Sequence, residues 1–399
     1  MSQLARIVAA AGRRRRRGPV RWSADFALLA AGANATLPGG LALTRASAAT
    51  VQTGDATLVT SGIANDVARG GRRQSADPLA LVLEEARTNL VGAGRNPGGS
   101  GWTAASGVVT TGFANGPDGS VNSAWRSQVA SGAFGTYNLV AVTGGQTHVG
   151  SCWKRSVSGS VTMQTTLGGA SVNAVVDSLT TSWQRRAVAH VEASASWTML
   201  PTDGHDWSAQ GGVAAGARDE VVDCVQTELG LYATEYIHTT AGSAARSGER
   251  LYHPSGAALL AGGQLRLEVA LQPKGARADY PAVVYLWFVD ASNYARIDPT
   301  TGVLTVAIGG ATNTTSALTW AAADLLELWV AAGGGAATVV KFRVNGGAVT
   351  TCTITGSALG ALAVPGALDL LCSGTGNQFT AWVRALRAYR AAATPGWAV

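Results

Sequence analysis

Charge and reactive side chains are both scarce in this sequence. Only 14% of its 399 residues are charged, and it holds five histidines and four cysteines. The histidines (His148, His190, His205, His238, His253) are scattered, and no His-x-x-x-His, Cys-x-x-Cys, phosphate-loop or serine-elbow spacing occurs. That excludes the compact motifs by which zinc, nucleotide or activated-serine chemistry is usually recognised. Four cysteines are too few for a disulfide framework, so buried thiols are expected, although Cys152 with Cys224 and Cys352 with Cys372 stay open as pairs. No apolar run reaches the roughly 20 residues of a membrane-spanning helix. The weakly apolar stretch near the start is short, and its charges follow rather than precede it, the reverse of a secretion signal.

What is abundant is glycine, 51 residues, amid Ala, Val, Thr and Ser. This favours many short strands with tight turns, in a chain long enough for two or three domains. The formal charge is +6, and its location decides its meaning. Residues 1–22 carry seven arginines (Arg6, Arg13 to Arg17, Arg21) and no acid; the other 377 residues have a net charge of −1. The basicity therefore belongs to an arm, and the body is close to neutral. Within the arm, Leu4, Ile7, Val8 and Ala11 fall at helical spacing, predicting a short amphipathic helix over residues 2–12 that needs a partner surface.

From residue 23 to 95, short apolar runs broken by Gly, Asn and Asp predict an extended collar, with a strand after Pro78 through Leu83. Residues 96–250 alternate apolar and polar side chains in His148–Lys154 and Trp183–Val191, and further strands are predicted over 135–143, 161–167 and 224–232. Residues 251–399 repeat the pattern over 265–271, 283–289, 293–298, 303–308, 325–331, 339–344, 368–372 and 379–389, with a hairpin signal at Asn345-Gly346. The expected fold is mainly β: an extended anchor with a short helix, then two antiparallel β-sandwiches.

The stretch Leu83-Glu84-Glu85-Ala86-Arg87-Thr88-Asn89-Leu90 resembles a junction phrase of bacteriophage tail-fibre and virion-spike proteins. Its surroundings resemble theirs as well: Leu37-Pro38-Gly39-Gly40-Leu41, Thr44-Arg45-Ala46-Ser47 and Gly62 to Arg69 upstream, Thr234 to Thr240 with Ala245-Arg246 downstream. Ser151-Cys152-Trp153-Lys154 and Val225 to Gly230 resemble strands of jelly-roll carbohydrate-binding modules. Phe342 to Gly346 and Val383 to Tyr389 resemble strands of the concanavalin-like (laminin-G-like) sandwich. The resemblance implies a virion structural protein without enzymatic activity. It would be a homotrimeric fibre or spike, assembled in the host cytoplasm, anchored to tail, neck or capsid proteins by its N-terminus, and in contact with host-surface polysaccharide. A capsid decoration or collar protein without a receptor role, and a tail-associated glycan depolymerase, are the alternatives.

Glycan cleavage needs two carboxylates across one bond; Glu84 and Glu85 are adjacent on an expected strand and point to opposite faces, and Asp219-Glu220 sit in a polar stretch. The long coil repeat of β-solenoid depolymerases is absent. Asp203 and Asp206, flanking Gly204-His205, are the candidate ligands for a calcium ion, against the plainer reading of a turn capped by its own Asp residues. Trp207 and then Trp125 are the candidate sugar platforms among twelve tryptophans, most of which are expected in cores. Arg13, Arg14, Arg15, Arg16 and Arg17 are assigned to docking on virion protein rather than nucleic acid, since the neutral body offers no second basic surface. Leu83, Glu84, Glu85, Arg87 and Leu90 are assigned to an interdomain joint, where the apolar residues pack and the charged ones make contacts between neighbouring copies.

Overall fold

The computed structural model describes residues 20–26, 32–34, 36–47, 49–54, 57–63, 68–71, 77, 79–98, 101–159, 161–168, 172–210, 214–374, 376–390 and 393–399. The helix expected over 2–12 and the arginines Arg13 to Arg17 lie outside them. The fold is mainly β, as expected: antiparallel sheets form sandwich-like domains, and no described helix has seven or more residues. Among the described residues no helix is long and apolar enough to cross a membrane.

The strands at the two ends of the chain build one sandwich together. Its larger sheet runs Gly32–Asn34, Ala68–Gly71, Ala80–Leu83, Ala381–Tyr389, Gln264–Pro273, Leu326–Gly333, Ala336–Val344 and Thr350–Thr351, and Val20–Asp25 also pairs with Ala381–Tyr389. The facing sheet begins Ala42–Thr44, Arg250–His253, Leu368–Leu370, Val284–Asp290 and continues through three meandering strands to Ile354–Thr355. Alternation places Leu265, Leu267, Val269 and Leu271 on the inner face, beside Leu328 of the same sheet and against Val284, Leu286 and Val306 of the facing one. Each such buried side chain contributes about 1.5–3 kcal/mol.

The extended collar expected over 23–95 is therefore corrected. Phe26, Leu37, Leu41, Leu43, Leu81 and Leu83 are all buried in that same core. Short apolar runs too small to bury themselves are stable here because they extend sheet edges that the C-terminal strands leave open.

The second sandwich is inserted into the first. Its two five-stranded sheets run Val108–Ala114, Ala124–Val129, Arg218–Leu229, Thr147–Ser156, Gln184–Val191, and Val172–Leu179, Val161–Gly168, Ser196–Leu200, Thr136–Ala141, Trp102–Ala104. Trp125, Trp197, Met199, Val222 and Val225 fill the space between them. The chain enters this sandwich through Arg87–Asn89 and leaves it through Ala244–Arg246, and the two segments pair as a two-stranded ladder, a neck between the sandwiches.

Candidate functional site

The neck is where the junction phrase lies, and its charges converge on a dry ionic cluster. Glu84 receives Arg69 at 3.0 Å, Arg246 at 2.9 Å and Lys274 at 2.5 Å. Glu249 receives Arg45 at 2.6 Å and Arg69 at 2.7 Å, and Lys274 also reaches Glu235 at 2.8 Å. Every one of these side chains is at most 2% exposed. Backbone groups close the cluster: the Glu84 amide donates to Glu249 and the Glu235 amide to Glu84. Burial by itself raises the Glu84 carboxyl, but Arg246, Lys274 and Arg69 outweigh it and hold that carboxyl well below the usual carboxylate range. The cluster joins both ends of the chain to the exit of the inserted sandwich.

The rest of the phrase is equally occupied. Glu85 accepts the Arg87 guanidinium and the Tyr232 hydroxyl at 2.7 Å, and Arg87 lies 5.1 Å over the Tyr232 ring. Buried Asn89, missed in the sequence, accepts from the Val91 and Thr227 amides and donates to the Ile237 carbonyl. Leu83 sits in the outer sandwich core, and Leu90 packs against the inserted one. The expectation of charge contacts between copies is corrected for Glu84, which is fully buried, while Glu85 and Arg87 pair with each other within the chain. A cleft of about 700 Å³ opens beside the neck between Leu90, Val142, Leu229 and Pro281. Its walls are mostly apolar, and none of its lining residues is a Phe, Tyr or Trp.

At the other end of the inserted sandwich lies an aromatic cluster. The register places Val129 against Arg218 at this end and His148 against Leu229 at the neck. The 12-residue strand Arg218–Leu229 thus separates them by roughly 35–40 Å. Phe134, 42% exposed, stacks on His205 with ring centroids 4.4 Å apart and planes 13° from parallel. Trp207, half-buried, meets His205 edge-on at 4.8 Å. Two loops carry these rings and are tied by Gly132 N–H to Gly204 O (2.8 Å) and Gly204 N–H to Ala133 O (3.1 Å). A Cβ on Gly204 would stand 2.4 Å from the Ala130 carbonyl, so only glycine permits that approach.

Asp203 is fully buried and serves this cluster: it accepts the His205 amide at 2.9 Å and the Trp207 indole N–H. Exposed Asp206 caps the Ser208 amide at 2.9 Å. The calcium expectation is corrected accordingly, because the two carboxylates hold separate donors of their own turn. Among the described residues no group of three or more His, Cys, Asp or Glu could hold a metal ion. Trp125 is corrected too: it is 0% exposed and packs edge-on with Trp102 in the core. Trp207 is half-buried in a cluster with His205 of the same turn and with Phe134, which no local sequence signal marks. All four cysteines are buried thiols. Cys152 packs in the core between the sheets and Cys224 in the cluster with Trp153 and Tyr236 outside it, so that pair cannot bridge.

What the distal cluster can do chemically is stack. An exposed ring beside a fixed indole offers a flat apolar face, suited to the C–H face of a sugar ring. No protein-family model matches the chain, and no curated protein matches it. Among solved structures it is similar to the N-terminal CBM22-1-CBM22-2 tandem domain from Paenibacillus barcinonensis Xyn10C, at 12% identity, over 76% of this chain and 98% of that one, with a TM-score of 0.28. Agreement that low fixes neither a shared architecture nor a shared ligand.

Proposed function

We propose that this chain is a non-enzymatic attachment protein of a bacteriophage virion, anchored through its N-terminal arm and contacting host-surface glycans with the far end of its inserted sandwich. The observation that carries the glycan contact is the Phe134–His205–Trp207 cluster: aromatic rings half-open to solvent, held by paired loops at the end opposite the neck. The virion assignment rests on the junction phrases, whose charged members Arg45, Arg69, Glu84, Glu235 and Arg246 meet in one cluster. Phrases that must form a single buried network are expected to travel together in sequence. The test is adsorption. Purified full-length protein is expected to compete with phage for host cells, and Phe134→Ala with Trp207→Ala to lose at least tenfold in competition while staying folded, the lower melting temperature reporting the lost indole donor to buried Asp203. Wild-type protein that neither binds cells nor competes would favour a decoration or collar role.

A further inference from the structure

The outer face of the sheet containing Arg218–Leu229 carries an arrangement separate from the distal loops. Register puts Thr110 beside Arg126, Arg126 beside Val221, and Val221 beside Arg155, so these side chains form one row across four strands. Both arginines stack on aromatic rings at the ends of the row: Arg126 lies 5.1 Å over Phe113, and Arg155 lies 5.3 Å over Trp183. The order across the sheet is Phe113, Arg126, Val221, Arg155, Trp183. Val221 is on the outer face yet 0% exposed, as expected where arginine stems lie down on either side of it. The ends of the row are four strand spacings apart, roughly 19 Å.

Charge on this row is unbalanced. Arg126 is held by Asp219 through two bonds of 2.7 and 2.6 Å, while Arg155 has no carboxylate partner among the described residues. Arg185 stands diagonally next to Arg155, opposite Trp153, and donates to the Ser151 hydroxyl and the Thr234 carbonyl. Asp223, on the rung of Trp153 and Arg185, is taken by Arg95 at 3.3 Å, so Asp219 alone offsets Arg126, Arg155 and Arg185, a local excess of positive charge that the near-neutral charge of the whole body conceals.

We infer that this row binds an acidic polysaccharide lying across the strands. Arg155, joined by Arg185 and Arg126, pairs with its carboxylate or sulfate groups, and Phe113 and Trp183 supply apolar edges for its rings. The site shares with the proposed function only the glycan nature of the partner, and it stands or falls without the distal cluster.

The test uses full-length protein in which Arg13 to Arg17 are replaced by serine, so that the arm adds no charge. Binding to immobilised polygalacturonate and to neutral dextran is measured, with double-stranded DNA as competitor. Saturable binding to the polyuronate is expected, with a tenfold or greater loss for Arg155→Gln and for Trp183→Ala. Asp219→Asn frees Arg126 and is expected to tighten binding several-fold, a gain that misfolding cannot imitate. Equal binding by all variants overturns the inference, as does absence of polyuronate binding or DNA binding that matches or exceeds it. Loss at the row with Phe134→Ala and Trp207→Ala unaffected supports the row and counts against the distal cluster; the opposite pattern does the reverse.

Discussion

Single residues decide more here than composition suggests. Glu84 takes three cations in a dry interior, and removing its charge leaves Arg69, Arg246 and Lys274 underpaired. Glu84→Gln is expected to cost about 3–5 kcal/mol in chemical denaturation; a loss below about 1 kcal/mol would mean the cluster is not dry. Asp223 behaves in the opposite sense. Burial pushes its carboxyl up to about 6, against the pull of Arg95. A raised carboxyl stabilises the fold below its unfolded value near 4 and loses that contribution as pH rises through about 6. The chain should therefore be more stable near pH 4.5 than at pH 7.5, and Asp223→Asn should remove roughly 2–3 kcal/mol of that difference. Glu84, held low, works the other way: its contribution is complete above about pH 4.5 and fades only as pH falls through its depressed value, so the two act in different windows. Urea midpoints at the two pH values, for wild type and Asp223→Asn, check this.

At the scale of elements, the strands of both sandwiches were legible because alternation survives wherever one face is buried. Thr147–Ser156, Gln184–Val191 and Gln264–Pro273 lie close to where the pattern placed them. Burial could also have been read at Trp125: it shares strand parity with Ser127 and Val129, while Arg126 and Gln128 take the outer face. The distal cluster was half legible. Trp207 stands out beside its aspartates, but Phe134 comes from a loop 73 residues earlier, and no local pattern reports that two loops share hydrogen bonds. The collar's place in the sandwich is not legible for a physical reason: strands of three or four residues have no period to show, and those that tie it to the rest, Ala42–Thr44 and Ala80–Leu83, find their partners in Arg250–His253 and Ala381–Tyr389, far along the chain. Since Arg87–Asn89 pairs with Ala244–Arg246, the inserted sandwich hangs on a ladder whose ends are adjacent. Replacing residues 91–242 by a short Asn-Gly turn is expected to leave a folded, though less stable, outer sandwich, because the lost Glu235 is one member of the cluster. A coil-like circular dichroism spectrum from that deletion would contradict the neck assignment.

For the molecule as a whole, the two chain ends form one body and the middle forms another, joined by a neck and locked by buried ion pairs. The end of the basic arm is corrected: Val20–Asp25 joins the outer sandwich, with Arg21 donating to the Ala258 carbonyl at 2.9 Å, while residues 1–19 lie outside the described residues and their role rests on sequence, five consecutive arginines and a short amphipathic stretch. If the chain assembles as the junction phrases imply, light scattering of purified protein should give three times the chain's 40.5 kDa. A clean monomer at micromolar concentration would contradict the trimer while leaving the fold untouched. The central claim is narrower: the far end of the inserted sandwich holds glycan and does not cut it.

That claim is tested most directly by incubating full-length protein with purified surface polysaccharide of its host while following bound protein and free reducing ends together. The account predicts saturable binding, weakened at least tenfold by Phe134→Ala with Trp207→Ala, and no reducing ends above the protein-free control. Reducing ends that accumulate with time, or binding indifferent to both substitutions, would contradict it.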